Sequence, residues 1–231
     1  MKQKKLTLRA EFVYLLAVVL LALSSAMCAV ADLGLSMIVA PAYILSEKVP
    51  FITFGMAEYM VQGLLFIVMC IVMKRVRLPY FMAFVTSVLF GLALDAWRLL
   101  PCFNEAVTPP GSMAMIWRIL LFAGGSLITA LAIALFFRVY LPPEVCDLFV
   151  KCLHAKYGWD LTKIKRINDA AFLAVGLALT LIFFHKLVGI GVGTFVVTLV
   201  NGPVIGLIGK GLDRFVEIKP AFPKLAAKFE L

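Results

Sequence analysis

Six stretches of about 20 apolar residues, separated by short polar segments, leave this chain few ways to fold. They lie at about 12–31, 51–73, 80–100, 113–137, 170–188 and 190–208, each long enough to cross hydrocarbon as a helix. A backbone in lipid must satisfy its own polar groups, and helices do so. The 231 residues are 63% hydrophobic and only 15% charged, more apolar surface than a soluble domain of this length can hide. The expected fold is all-α: a polytopic membrane protein with six transmembrane helices. It forms a single membrane domain over residues 1–231, with no stretch left for a soluble one.

The charges set the orientation. Basic residues gather at Lys2, Lys4, Lys5 and Arg9; at Lys74, Arg75 and Arg77; at Arg138, Lys151, Lys156, Lys163, Lys165 and Arg166; and at Lys210, Arg214, Lys219, Lys224 and Lys228. With the N-terminus inside, all of these groups are cytoplasmic, and only Lys48, Arg98, Arg118 and Lys186 fall elsewhere. Both termini are therefore expected in the cytoplasm. The net charge of +9 is absorbed by this topology and does not call for nucleic acid. The first nine residues, the apolar run after them and the AVA before Asp32 also fit a cleaved signal peptide. The length of that run and the five spans after it favour a retained helix. Its small residues Ala22, Ser25, Ala26 and Ala29 are spaced for close packing.

Two segments between spans are informative. Ala31–Pro50 carries an apolar core too short to cross, interrupted by Pro41, and reads as a re-entrant loop or an outer flap. Residues 141–169 read as an amphipathic cytoplasmic segment. Val145, Leu148, Phe149, Cys152 and Leu153 form one face of a helix that begins after Pro142–Pro143 and ends near Gly158. That helix is expected on the membrane surface or against the end of the bundle. Each half of the chain thus reads span, proline-containing short segment, span, span. Three spans per unit would make the halves a 3+3 inverted repeat, a transporter signature with solute held near the midplane.

The segments "ADLGLSMIVAPAYILS", "ITFG", "LFGLALD" and "GIGVGTFVVTLVNGP" together resemble the YczE/YitT-type family of bacterial integral membrane proteins, over nearly the whole chain. Gly193–Thr194 and Gly202–Pro203 match that pattern, while Met37 stands where the family often has proline. The resemblance implies a multi-span inner-membrane protein that handles a small solute. It implies no catalytic residues.

Charge at bilayer depth is costly and marks function by default. Four charged residues fall in the outer third of the spans: Glu58, Asp95, Arg98 and Arg118. They are expected to form a neutral network around an outward-facing cavity, with Gln62 one turn below Glu58. The structural alternatives are an Asp95–Arg98 helix-end pair, a snorkelling Arg118, and a Glu58–Arg118 ion pair. In the sixth span, Pro203 removes a backbone donor. Asn201, Gly202 and Pro203 are therefore expected to mark a kink or break, with Asn201 facing the bundle interior. These residues are the substrate-binding candidates. No cofactor, metal site or disulfide is expected from the five cysteines, whose spacing fits none. "GIGVGT" lacks a βαβ context and "GLIGKGL" lacks P-loop spacing. No hydrolase motif is present, so an enzyme is not expected.

The expected function is a small-solute permease, ion- or proton-coupled through Glu58. The alternatives are the substrate-capturing subunit of an energy-coupling-factor importer, with Ala22 and Ala26 meeting an ATPase complex, or a membrane assembly or regulatory protein. The expected partners are the lipid bilayer and a small-molecule solute, with a second copy or an ATPase complex as further protein partners.

Overall fold

The computed structural model describes residues 6–226 and Phe229. Lys2, Lys4, Lys5 and Lys228, used in the orientation argument, lie outside the described residues. Six helices are long and apolar enough to cross a membrane: α1 (Ala10–Ala31), α3 (Phe54–Met73), α4 (Leu78–Arg98), α5 (Met115–Phe136), α7 (Leu161–Phe184) and α8 (Val192–Phe215). Two shorter helices, α2 (Ala40–Lys48) and α6 (Val145–Tyr157), fall between them. A strand β1 (Leu6–Arg9) precedes α1 and pairs in parallel with β2 (Val216–Lys219), which follows α8; a last turn of helix, α9, covers Pro223–Ala226. This pairing defines the terminal end of the bundle. There Glu11 accepts hydrogen bonds from the Ala221 and Phe222 amides and from the Tyr140 hydroxyl.

The all-α polytopic fold is as expected, and the short helices are the part the sequence described least well. The amphipathic segment is not on the membrane surface. Residues 141–146 are all buried. The apolar face of α6, Val145, Leu148 and Cys152, packs on Met69 and Met73 of α3 and on Tyr80 and Ala83 of α4. Its first amide contacts sit beside Gln62, eight residues or about 12 Å into α3. Its last turn meets the end of the same helix, where the Lys156 ammonium donates to the Val72 carbonyl at 2.6 Å. The chain therefore dips to mid-depth after α5 and returns as a half-helix. The physical reason is that side chains of α3 and α4 satisfy the amides at the α6 N-terminus, so the tip tolerates burial.

The other short helix mirrors this. Pro41 and Ile44 of α2 lie against Gly176, about 12 Å from the far end of α7. Lys48, at the other end of α2, donates to the Phe183 carbonyl at that far end. Of the two sequence readings of Ala31–Pro50, the structure has the re-entrant one.

The two halves thus repeat one plan in opposite directions. α1 packs along α5 at the centre, through Ser24 and Cys28 against Gly125 and Thr129. α1 packs on α4 as α5 packs on α8, and each half-helix packs on both α3 and α7. The predicted 3+3 inverted repeat is present, with a half-helix inside each unit. Symmetry fails in two places: α3 lies along α4 whereas α7 and α8 make little contact, and α6 packs on α4 whereas α2 makes little contact with α8. Ala22, Ser25, Ala26 and Ala29 are all buried, as their spacing suggested.

Candidate functional site

The glycines at the far end position two loops. Gly189 has φ +70, a left-handed conformation that favours glycine. Its carbonyl accepts from the Leu35 amide (2.9 Å), and the Gly193 amide donates to the Leu33 carbonyl (2.8 Å). A Cβ at Gly191 or Gly193 would sit about 2.5 Å from neighbouring atoms, so the turn into α8 is built for contact with Leu33–Gly34.

Beside this clasp lies a cavity of about 380 Å³ at the far end. Its polar lining includes Glu47, Thr53, Asp95, Arg98, Asn104 and Glu105. Asp95 accepts from the Thr53 hydroxyl (2.6 Å) and the Gly55 amide (2.8 Å), so it helps cap α3. Arg98 pairs with Glu105 and sits over the Phe54 ring. Asp95 and Arg98 thus line one vestibule, each with its own partner. Partial loss of hydration at the rim, with Glu105 beside it, pushes the Glu47 carboxyl up to about 7. A carboxyl raised in the folded state contributes stability in full below its ordinary value near 4.5, and this is lost as pH rises through 7. The melting temperature is therefore expected to fall between about pH 5 and pH 8, and Glu47→Gln to flatten that slope. A scan of melting temperature against pH checks it.

Phe54 closes the vestibule floor and is fully buried against Tyr43. One turn deeper on α3 stands Glu58, with Gln62 a turn below it; both are fully buried. The Gln62 amide donates to Glu58 Oε1 (3.0 Å), and Gln62 Oε1 accepts from the Cys146 amide at the α6 tip (3.1 Å). From α4, the Thr86 hydroxyl links the Tyr14 hydroxyl (2.6 Å) to the Pro142 carbonyl (3.0 Å). Glu144, the residue that precedes α6, is buried at 8% exposure and feels the charge of Glu58. Glu58 Oε2 and Glu144 Oε1 are both buried without a hydrogen-bond partner. Leaving a carboxylate in that condition costs several kcal/mol.

The structure separates the six sequence candidates. Glu58 and Gln62 form the centre. Arg118 does not pair with Glu58. Its guanidinium donates to the Ala31 carbonyl (2.7 Å), the Asp32 carbonyl (2.6 Å) and Asp32 Oδ2 (3.3 Å), which ties α5 to the end of α1. The expected single network of four charges is therefore split among the vestibule, the centre and this clamp. Asn201 lies on α8, away from all three, and the expected break is absent: α8 runs as one helix through Pro203. Gly202 and Pro203 are exposed rather than turned inward. Gly202 relieves one part of the strain, the clash of a proline ring with the Cβ of the residue before it. Glu144, Ser87, Thr86 and Tyr14 were not singled out by sequence. For Glu144 a signal existed: an acidic residue between two prolines and an apolar helix face.

A family model described as a family of unknown function, DUF6198, matches residues 8–210. No curated protein and no solved structure matches the chain.

Proposed function

We propose, from the premise that this chain belongs to the DUF6198 family of unknown function, that it is a small-solute permease. The observation that carries the reading is the meeting of two oppositely directed half-helices with the same pair of spans, α3 and α7. Irregular backbone at membrane depth is tolerated where it lines a cavity or is buried in protein, and inverted repeats with discontinuous helices hold solute at their interface. The vestibule at the far end supplies an entrance, Phe54 a plug, and Glu58, Gln62 and Glu144 a polar centre behind it. The charge pattern supports both termini in the cytoplasm, so the vestibule faces outward, and the YczE/YitT resemblance supports a bacterial plasma (inner) membrane. The YczE/YitT resemblance agrees with a solute-handling role. The reading as a vitamin-importer subunit loses its contact surface, since Ala22 and Ala26 are fully buried inside the bundle.

A thermal-shift screen of detergent-purified protein against a metabolite and vitamin library tests this, with Glu58→Gln alongside. A ligand at 100 times its Kd stabilises by about 2.7 kcal/mol. A ligand that stabilises the wild type but not the folded variant is the expected result. No stabilising compound, with Glu58→Gln only melting earlier, would favour a membrane assembly or regulatory protein.

A further inference from the structure

The two halves of the repeat each bury one carboxyl: Glu58 on α3, and Glu144 just before the α6 tip whose Cys146 amide meets Gln62. We propose that Glu58 and Glu144, joined through Gln62 and the α6 tip, form a buried dyad that carries one proton, and that this proton is the driving ion of the permease. The inference rests on the permease reading above and specifies its coupling.

The local charges require a proton. Facing the pair are Tyr14 from α1, Asp147 and Cys146 from α6, and Lys165 and Asp169 from α7. α4 offers the hydroxyls Thr86 and Ser87. α2 faces α3 with Tyr43 at the Phe54 ring, and its Glu47 lies in the vestibule. The cation acting on Glu144 is Lys165, which already pairs with Asp147 (2.9 Å) and Asp169 (3.4 Å). Two further carboxylates therefore have no cation of their own, and two carboxyls sharing such a site do not both ionise.

The hydrogen bonds leave room for one proton. Gln62 accepts the Cys146 amide through its oxygen, so its NH₂ faces Glu58. Glu58 Oε1 is thereby satisfied, and Oε2 remains open. The α6 amides of Val145 and Cys146 are directed at Ser87 and Gln62, not at either carboxyl. The remaining donor that the pair lacks is an O–H of its own. Because Glu58 belongs to one half and Glu144 to the other, rocking the halves apart would hydrate both carboxyls and release the proton. That couples proton release to opening of the site.

Infrared difference spectroscopy on the full-length protein, with no solute added, tests the dyad. The signal is the C=O stretch of a protonated carboxyl, identified by its shift in deuterated water, followed from about pH 5 to 10 in sodium-free buffer. In a Glu47→Gln background, which removes the vestibule carboxyl that is also raised, one such band is expected, unaffected by added sodium chloride. Glu58→Gln and Glu144→Gln are each expected to move the titration of the remaining carboxyl down by about one pH unit or more, a tenfold loss of proton affinity. The double replacement is expected to remove the band. Absence of the band at neutral pH, its loss on adding sodium chloride at fixed pH, or an unmoved titration in either single variant would overturn the proposal. The first two results need only the Glu47→Gln background, so they decide the matter even if a Glu58 or Glu144 variant fails to fold. Solute binding without the band would leave the permease and remove its proton. The band without any solute binding would leave the dyad and remove its role as driving ion.

Discussion

Gly55→Ala is expected to be among the most damaging single-methyl changes in this protein. The α3 and α4 backbones cross in contact at Gly55 and Gly91, and a Cβ at Gly55 would stand 2.0 Å from the Gly91 carbonyl oxygen and 2.7 Å from the Asp95 carboxylate. Neither neighbour is the free end of a flexible chain. The oxygen is backbone, and Asp95 is fixed by Thr53 and by the Gly55 amide itself. The helices must separate, which breaks the α3 cap and displaces Glu58 one turn below. Alanine gains about 1 kcal/mol in helix propensity over glycine. Overpacking of this kind costs about 1–3 kcal/mol and occasionally more. With backbone as the obstacle, the net loss is expected at about 2 kcal/mol or above. Gly206→Ala is the control: nothing lies within 4 Å of that Cβ, so the same methyl is expected to leave stability equal or higher. Melting curves of both variants in one detergent compare them directly. Equal losses would mean that the α3–α4 crossing is not the tight point.

Arg118→Ala is expected to have a comparable effect by a different route. Its guanidinium is mostly withdrawn from solvent and satisfies two backbone carbonyls at the end of α1 as well as Asp32. A helix leaves its last carbonyls unpaired, and orphaning a buried one costs about 1–3 kcal/mol. Loss of both, with the Asp32 partner, is expected to cost about 3 kcal/mol. Arg118→Lys should recover only part of it, because two carbonyls are reached by different nitrogens of one planar fork. Solute binding by whatever fraction stays folded should be unchanged. A folded Arg118→Ala variant of normal melting temperature that no longer binds solute would return this residue to the binding site.

Hydropathy made the six spans legible, because length and apolarity are nearly all that a lipid-crossing helix requires. The half-helices were less so. Val145, Leu148 and Cys152 make the same periodic face whether it meets headgroups or the sides of α3 and α4, so periodicity located α6 without its depth. That hid Glu144, whose position looked like a cytoplasmic turn. Depth counting placed Glu58 and Gln62 within the second span, where the structure buries both, since position along a span converts directly to depth. It failed to find the partners of Arg118, which are carbonyl oxygens and so carry no mark in sequence. Pro203 misled because a proline costs a helix one backbone hydrogen bond without requiring the chain to break there, and α8 continues past it to Phe215.

The clasp at the terminal end has a consequence in time. A membrane protein is inserted from its N-terminus onward, yet β1 finds its strand partner in Val216–Lys219, and Glu11 finds two of its donors at Ala221 and Phe222. The strand Leu6–Arg9 therefore stays unpaired until some two hundred more residues have been made and threaded. Closure of that pair marks a finished molecule: a ribosome-bound or mis-threaded intermediate presents an open strand edge and an unsatisfied Glu11 at its start, the features that quality-control machinery can detect.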